Sequence, residues 1–524
     1  MMPTWKHSLE ITPAVGDAER LKTGLLVLGV FPEGPLTGTA LRLDARTGGR
    51  LSQVLARGAL GVTPAAMLLL DHLPGSAANR ILLVGLGPFA DFSERSYRLA
   101  LAATARFIAD SVVSDAVVTL PEHPVPERSL NWRIQHAAQL LADGGDSFRR
   151  PDVREGRRGR HRAKHSIMLL VPQTLTAELI GALRQGIAVA EGVSLARDLG
   201  NLPGDICTPA FLAKTATEMG KAFGLEVEVL ERQDIAALGM GTLLEVGKAA
   251  ANSCRLIVMQ SNARRGRGRP IVLIGEGITF DRASTPPVPG EAGADAMHAN
   301  VSGLGGVLGA MRTVARLSLP INVIGLVAAA ETTIDGPDSR SGYCVRCLSG
   351  QMIEIRSREE EDCLLLCDLL TYAERFLPAC VVDVAALTDD CAAALGPHAS
   401  GLFSNNDALA AELMRCAGMS GDRTWQLPLW NDECGQPDSR VSGTGNLGGR
   451  TGDGTTAACF LARFAKAYPW AHIDISRRAS ISDGSKASTG RPVPLLAEFL
   501  ISRAADAAAS GHSAPSLATM EPHR

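Results

Sequence analysis

Aromatic residues are scarce in this chain of 524 residues: Phe, Tyr and Trp together supply 4%. A surface built to stack bases or to cage cationic ligands draws heavily on aromatic rings, so neither class finds support here. Cysteine is absent from the first 200 residues, and all eleven lie between Cys207 and Cys459. That distribution argues against a disulfide framework and for buried thiols. An excess of one charge is also missing. The 52 Lys and Arg against 55 Asp and Glu leave a formal net charge of -3, which gives no global attraction to nucleic acid or to an anionic membrane. The longest apolar stretches, such as 323–330, fall far short of the roughly 20 residues that a membrane helix needs. The opening segment, MMPTWKHSLEITPAVGDAER, holds no apolar block of the secretory type. Together these absences predict a cytoplasmic chain with no membrane partner.

What is present is glycine and aliphatic residues. Hydrophobic residues at 46% supply packed cores, and charged residues at 20% are too few for a disordered chain. At about 150 residues per domain, the length predicts two or three domains. Up to residue 150, β-rich runs at 24–30, 80–85 and 117–120 alternate with an Ala-rich helical pattern at 97–109. This is the βαβ grammar of a parallel or mixed sheet. The second run ends in Gly85-Leu86-Gly87, read as a tight turn because a complete phosphate-binding glycine pattern is missing.

A break follows. Between Arg149 and His165 stand eight Lys or Arg against Asp152 and Glu155, with no apolar periodicity, which predicts an exposed loop. Such a run could touch nucleic-acid phosphates, but without interleaved aromatics the solvated loop is preferred. Beyond it, strands are expected at 167–171, 271–274, 321–328 and 380–384, with helices at 176–199 and 211–223. The division predicted is 1–165, 166–503 and a frayed Ala/Ser/Pro-rich tail from 504 to 524. Cys344 and Cys347 form a CxxC, and Cys363 and Cys367 stand four apart. A structural zinc needs four converging ligands and no second CxxC appears, so core thiols are preferred.

Seven segments carry a resemblance. They read NLPGDICTPAFLA (201–213), LGMGTLLEVGK (238–248), IVLIGEGITFD (271–281), LPINVIGLVAAAE (319–331), CDLLTYAERF (367–376), WQLPLW (425–430) and KAYPWAHIDI (466–475). In them the chain resembles the cytosolic leucyl aminopeptidase family of two-metal exopeptidases. The resemblance implies an N-terminal α/β domain, a larger C-terminal α/β metallo-aminopeptidase-like domain with a central mixed sheet, and a homohexamer acting on peptides. It also implies two divalent ions, Mn or Zn, which polarise the scissile carbonyl and generate a hydroxide nucleophile.

Carried over position by position, the family's site is altered in this chain. The ligand Lys is replaced by Glu276, and the strand-end Asp is kept as Asp281. The Asp of the Gly-rich turn becomes Asn300. In the Asp-x-Glu pair before a helix, Asp becomes Glu359 and Glu361 is kept. The catalytic Lys that stabilises the oxyanion aligns with Val288. The Arg that anchors a proton-shuttling bicarbonate aligns with Cys363. Glu359 and Glu361 are expected to point into the site, with Glu360 and Asp362 toward solvent. His298 is read as an ordinary histidine near Asn300, and His472 as a packing residue. Four carboxylates without their two cations repel one another, so protons or a metal must neutralise them. The resemblance therefore implies a leucyl aminopeptidase-like protein impaired in catalysis. An active enzyme with an unusual ligand set, and a DNA-binding or scaffolding hexamer using residues 149–165, stand as alternatives.

Overall fold

A computed structural model describes residues 9–144, 165–248, 254–261, 268–280, 301–331, 343–355, 361–387, 390–430, 444–445, 453–475 and 488–511. The chain forms two compact units, Met1–Ser194 and Leu195–Arg524. The basic segment falls almost wholly outside the described residues.

The first unit is built on β1 (Leu9–Ala14), β2 (Leu25–Val30), β3 (Met67–Asp71), β4 (Arg80–Gly85), β5 (Asp115–Val118) and β6 (His165–Leu170). Their order is β1-β6-β5-β2-β4-β3, and every pairing is parallel except β3 with β4. The sequences of β2, LLVLGV, and β4, RILLVG, are almost wholly apolar and buried, as strands covered on both faces require. The strand after the basic segment, β6, lies between β1 and β5, which is why the units divide at 194 and not at 165. The amides of Gly85 and Leu86 bond to the carbonyls of Ala66 and Val30, both at 2.8 Å. Gly87 sits at φ +86°. With its donors spent on backbone, this glycine-rich segment is a tight turn.

The second unit carries β7 (Glu226–Leu230), β8 (Cys254–Ser261), β9 (Ile271–Phe280), β10 (Val323–Glu331), β11 (Tyr343–Arg346), β12 (Met352–Ile355), β13 (Cys380–Ala385), β14 (Ser400–Ser404), β15 (Thr424–Gln426), β16 (Thr444–Gly445) and β17 (Trp470–Asp474). Eight of them form one sheet in the order β15-β14-β17-β13-β9-β10-β8-β7, while β11, β12 and β16 make a smaller one. The large sheet is mixed: β10, β9, β13 and β17 run parallel, β8 runs against both of its neighbours, and β14 runs against β17 but parallel to β15. On one face the helix Glu361–Ala373 buries Leu365, Leu366, Leu369 and Leu370 against Val272, Ile274 and Leu326.

The helix Ser302–Leu317 covers the opposite face with its glycines. A Cβ on Gly275 would stand 2.6 Å from the Gly303 carbonyl oxygen, and one on Gly303 would stand 2.4 Å from that of Val384. Backbone thus lies directly on backbone, and around Gly303 the nearest atoms are all backbone, with no side chain to yield. Gly303→Ala is expected to cost about 3 kcal/mol, the upper end for overpacking, as measured by urea denaturation.

Two expectations need correction. The C-terminal helix runs from Val493 to Gly511, so residues 504–511 are helical and not part of a frayed tail. Among the described residues nine cysteines are free, eight of them buried, but Cys459 is disulfide-bonded. Among the described residues one helix, Ala177–Asn201, is long and apolar enough to cross a membrane; 72% of its most apolar window is buried within the protein. Its apolar residues feed the core, and interspersed Arg and Glu kept it from reading as a continuous run.

Candidate active site

Of the positions that the resemblance singles out, Glu276, Glu361 and Cys363 lie among the described residues, on β9 and in the first turn of the helix Glu361–Ala373. Glu276 lies on β9, opposite Ala328 of β10. Its side chain shares the face of Ile274 because strand residues alternate. Cys363 is buried in the helix's first turn. Glu361 begins that helix. Asp281, Val288, His298, Asn300 and Glu359 lie outside the described residues.

Glu276 is 2% exposed and hydrogen-bonded to Asp362. Burial, then the charge and hydrogen bond of Asp362, then the charge of Asp383 push its pKa well above the ordinary carboxylate value. Glu276 is thus an acid that favours its neutral form. Its Oε2 is buried without a hydrogen-bond partner. Asp362 is 9% exposed and faces inward, against the expectation that it meets solvent. That expectation assumed an extended segment, in which alternate residues share a face. The helix already begins at Glu361, so successive side chains are 100° apart and Asp362 turns onto the strand.

A second buried carboxylate completes the picture. Asp383 on β13 is fully buried; its Oδ1 accepts from His472 Nδ1 and its Oδ2 from Trp470 Nε1, both at 2.5 Å. Register explains the meeting, since Asp383 lies opposite His472 of β17. The imidazole stacks between Phe403 and Trp470, with ring centroids 6.1 and 6.5 Å away. Burial alone would lower its pKa, but the charge and hydrogen bond of Asp383, with the charge of Asp474, raise it. His472 is therefore an ionic partner as well as a packing residue. Sequence reading passed over Asp383, although a lone aspartate inside CVVDVA is a signal. A charge in a strand covered on both faces has to be paired.

Asp368 holds the helix in place. Its Oδ2 accepts from the amides of Thr242 and Leu243 at 3.0 and 3.1 Å, and its Oδ1 from that of Leu348 at 2.7 Å. One side chain therefore ties the helix bearing Asp362 and Cys363 to two other segments.

The family implies divalent metal ions. The donors described here fit a cation: an orphaned buried carboxyl oxygen on Glu276, with Asp362 against it, is the negative oxygen environment that a hard cation neutralises. Val288 is an aliphatic residue, and Cys363 is a buried thiol.

Comparison with known proteins agrees with this architecture. Residues 194–497 match the catalytic domain of the cytosol aminopeptidase family, and residues 27–151 match its N-terminal domain. The chain is 46% identical over 497 residues to a probable cytosol aminopeptidase of Azoarcus sp. (strain BH72), covering 95% of this chain and 99% of that one. It is 42% identical over 487 residues to a probable cytosol aminopeptidase of Burkholderia pseudomallei (strain 1710b), covering 92% and 95%. Among solved structures, it superposes on a tomato leucine aminopeptidase mutant with a lysine changed to glutamate. The TM-score is 0.81 at 25% identity, covering 95% of this chain and 97% of that one. With the bottromycin maturation enzyme BotP in complex with Mn the TM-score is 0.78 at 28% identity, covering 92% and 100%.

Proposed function

The chain belongs to the cytosol aminopeptidase family, and from that premise we propose a leucyl aminopeptidase-like protein whose power to hydrolyse peptides is severely impaired. One observation carries the proposal. At the position of the family's ligand amine stands Glu276, buried, hydrogen-bonded to Asp362 and driven toward its neutral form. The scaffold around it has apolar strands, close glycine contacts and the Asp368 ties, which support reading the alteration as local to the site.

Aminopeptidase catalysis asks three things of the site. The metals activate water and polarise the carbonyl. A cation stabilises the oxyanion, and a bound base carries the proton. The first is compatible with the carboxylates present. The second and third fall on Val288 and Cys363, neither of which carries positive charge at neutral pH. By family resemblance the assembly is a cytoplasmic homohexamer with two divalent ions, Mn or Zn, at positions Glu276, Asp281, Asn300, Glu359 and Glu361. Peptides are its substrates only so far as activity remains. The test is hydrolysis of leucine p-nitroanilide by the full chain with added Mn²⁺ or Zn²⁺. Rates in the range of ordinary family members would sink the proposal.

A further inference from the structure

A groove in the first unit is built by one sheet edge and one helix. β3 is the last strand of its sheet and pairs with β4 alone. In that antiparallel pair Met67 stands opposite Val84 and Asp71 opposite Arg80, so Met67 and Arg80 emerge on one face. The helix Glu94–Asp110 buries Tyr97, Ala100, Leu101, Thr104 and Ile108. A neighbouring stripe carries Ala103, Arg106, Phe107 and Asp110, at i, i+3, i+4 and i+7. This stripe, with Met67, Arg80 and Val112, lines a groove of about 730 Å³. Small-ligand sites span roughly 300–1,000 Å³. A single amino acid leaves a groove of this size part empty, and a short peptide fills it.

The lining has two characters. Met67 is 39% and Val112 72% exposed, with Phe107 half-buried between core and solvent. Apolar residues exposed singly need no explanation, but these share one concave surface with charges of both signs. Arg106 is exposed and, among the described residues, meets only the Ala102 carbonyl of its own helix, at 3.5 Å. Asp110 is exposed at the last position of the helix, where the dipole disfavours a carboxylate. Among the described residues no cation pairs with it. Arg80 meets Asp71 at 2.9 Å, but this is a solvent-facing pair, which holds its partners weakly. The complementary molecule has an apolar body, one negative group and one positive group.

We propose that this groove binds a short apolar peptide as its zwitterion. The carboxylate meets Arg106 and Arg80, the ammonium meets Asp110, and the side chains cover Met67 and Phe107. Guanidinium is the side chain best matched to a carboxylate, because it offers paired donors in one plane. Peptides are the molecules that an aminopeptidase family handles. Here a second peptide site lies in the other unit from Glu276, Glu361 and Cys363, with no group of the altered centre in its lining. It binds without cutting, and it stands whether or not that centre turns over.

The probe is leucyl-leucine, titrated calorimetrically into the full chain with EDTA present to hold off any metal-dependent cleavage. Saturable binding of one peptide per chain is expected. Arg106→Gln and Asp110→Asn should each weaken it roughly tenfold, the scale of one charged hydrogen bond. Leucyl-leucine amide, which lacks the carboxylate, and acetyl-leucyl-leucine, which lacks the ammonium, should each bind roughly tenfold more weakly than the parent peptide. Both substituted side chains are exposed, so the variants should melt with the parent. A Tm lowered by more than a few degrees in both would make these residues structural and overturn the proposal. Absence of saturable binding would overturn it outright. Undiminished binding in both variants would place the peptide elsewhere, the altered centre included. Acetyl-leucyl-leucine binding as tightly as leucyl-leucine would assign the groove to apolar anions instead. None of these readouts uses leucine p-nitroanilide turnover, so the groove and the impairment of catalysis stand or fall separately.

Discussion

Leucine p-nitroanilide turnover by the purified chain is expected to lie about 10⁴-fold or more below that of a family member that carries both catalytic cations. Loss of one preorganised oxyanion stabiliser costs on the order of 10²–10³ in rate. Loss of general acid–base assistance costs a further 10²–10⁴. Groups that act as a unit do not multiply fully, so the lower product is the safer figure. Added Mn²⁺ or Zn²⁺ should not recover the deficit, because the missing groups are not metal ligands. Val288→Lys alone should recover little, since the position of Cys363 still lacks its guanidinium. Cys363→Arg meets a further obstacle: the thiol packs in the core of the second unit, and an arginine forced there would bury an unpaired charge. Initial-rate assays on the parent, the two single variants and the double variant provide the measurement. A single substitution that restores family-level turnover would contradict this account.

The second large effect concerns stability. Asp383→Ala is expected to cost about 3–5 kcal/mol, or to prevent folding, because it strips His472 and Trp470 of their common acceptor inside a dry core. Asp383→Asn should cost less, since the amide keeps an oxygen for one of the two donors. The pH dependence has a definite sign. The folded pKa of His472 is raised above its unfolded value of about 6.5. Its contribution is therefore fully present below about pH 6.5 and is lost as pH rises through the folded pKa. Urea denaturation of the parent across that window should show this group's stabilisation fading toward alkaline pH. In Asp383→Ala that slope should flatten.

Much of the fold was legible because burial writes a strong periodic signal. The continuous apolar runs of β2, β4 and β13 announce strands covered on both faces, and the alternation of such runs with helical patterns announces α/β layers. The domain boundary was less legible, because the basic segment reads as a linker although the strand behind it pairs between β1 and β5. Sequence similarity proposed the site, but the orientation of Asp362 depended on where a helix starts. One residue of difference turned Asp362 from solvent to Glu276. The partnership of Asp383 with His472 was illegible for another reason: residues 89 apart in sequence meet only through sheet register.

That partnership also gives the molecule a clock. The proton on His472 Nδ1 lies in a fully buried bond between the middles of two adjacent parallel strands, so solvent reaches it only when the sheet itself opens. Its exchange with deuterated water should keep pace with the slowest amides of the second unit. A ligand that settles at the carboxyl ends of these strands and stabilises the unit as a whole would slow that exchange, and one that reshapes only the loops would leave it unchanged. The trio thus offers a way to time events at the strand ends without a turnover assay.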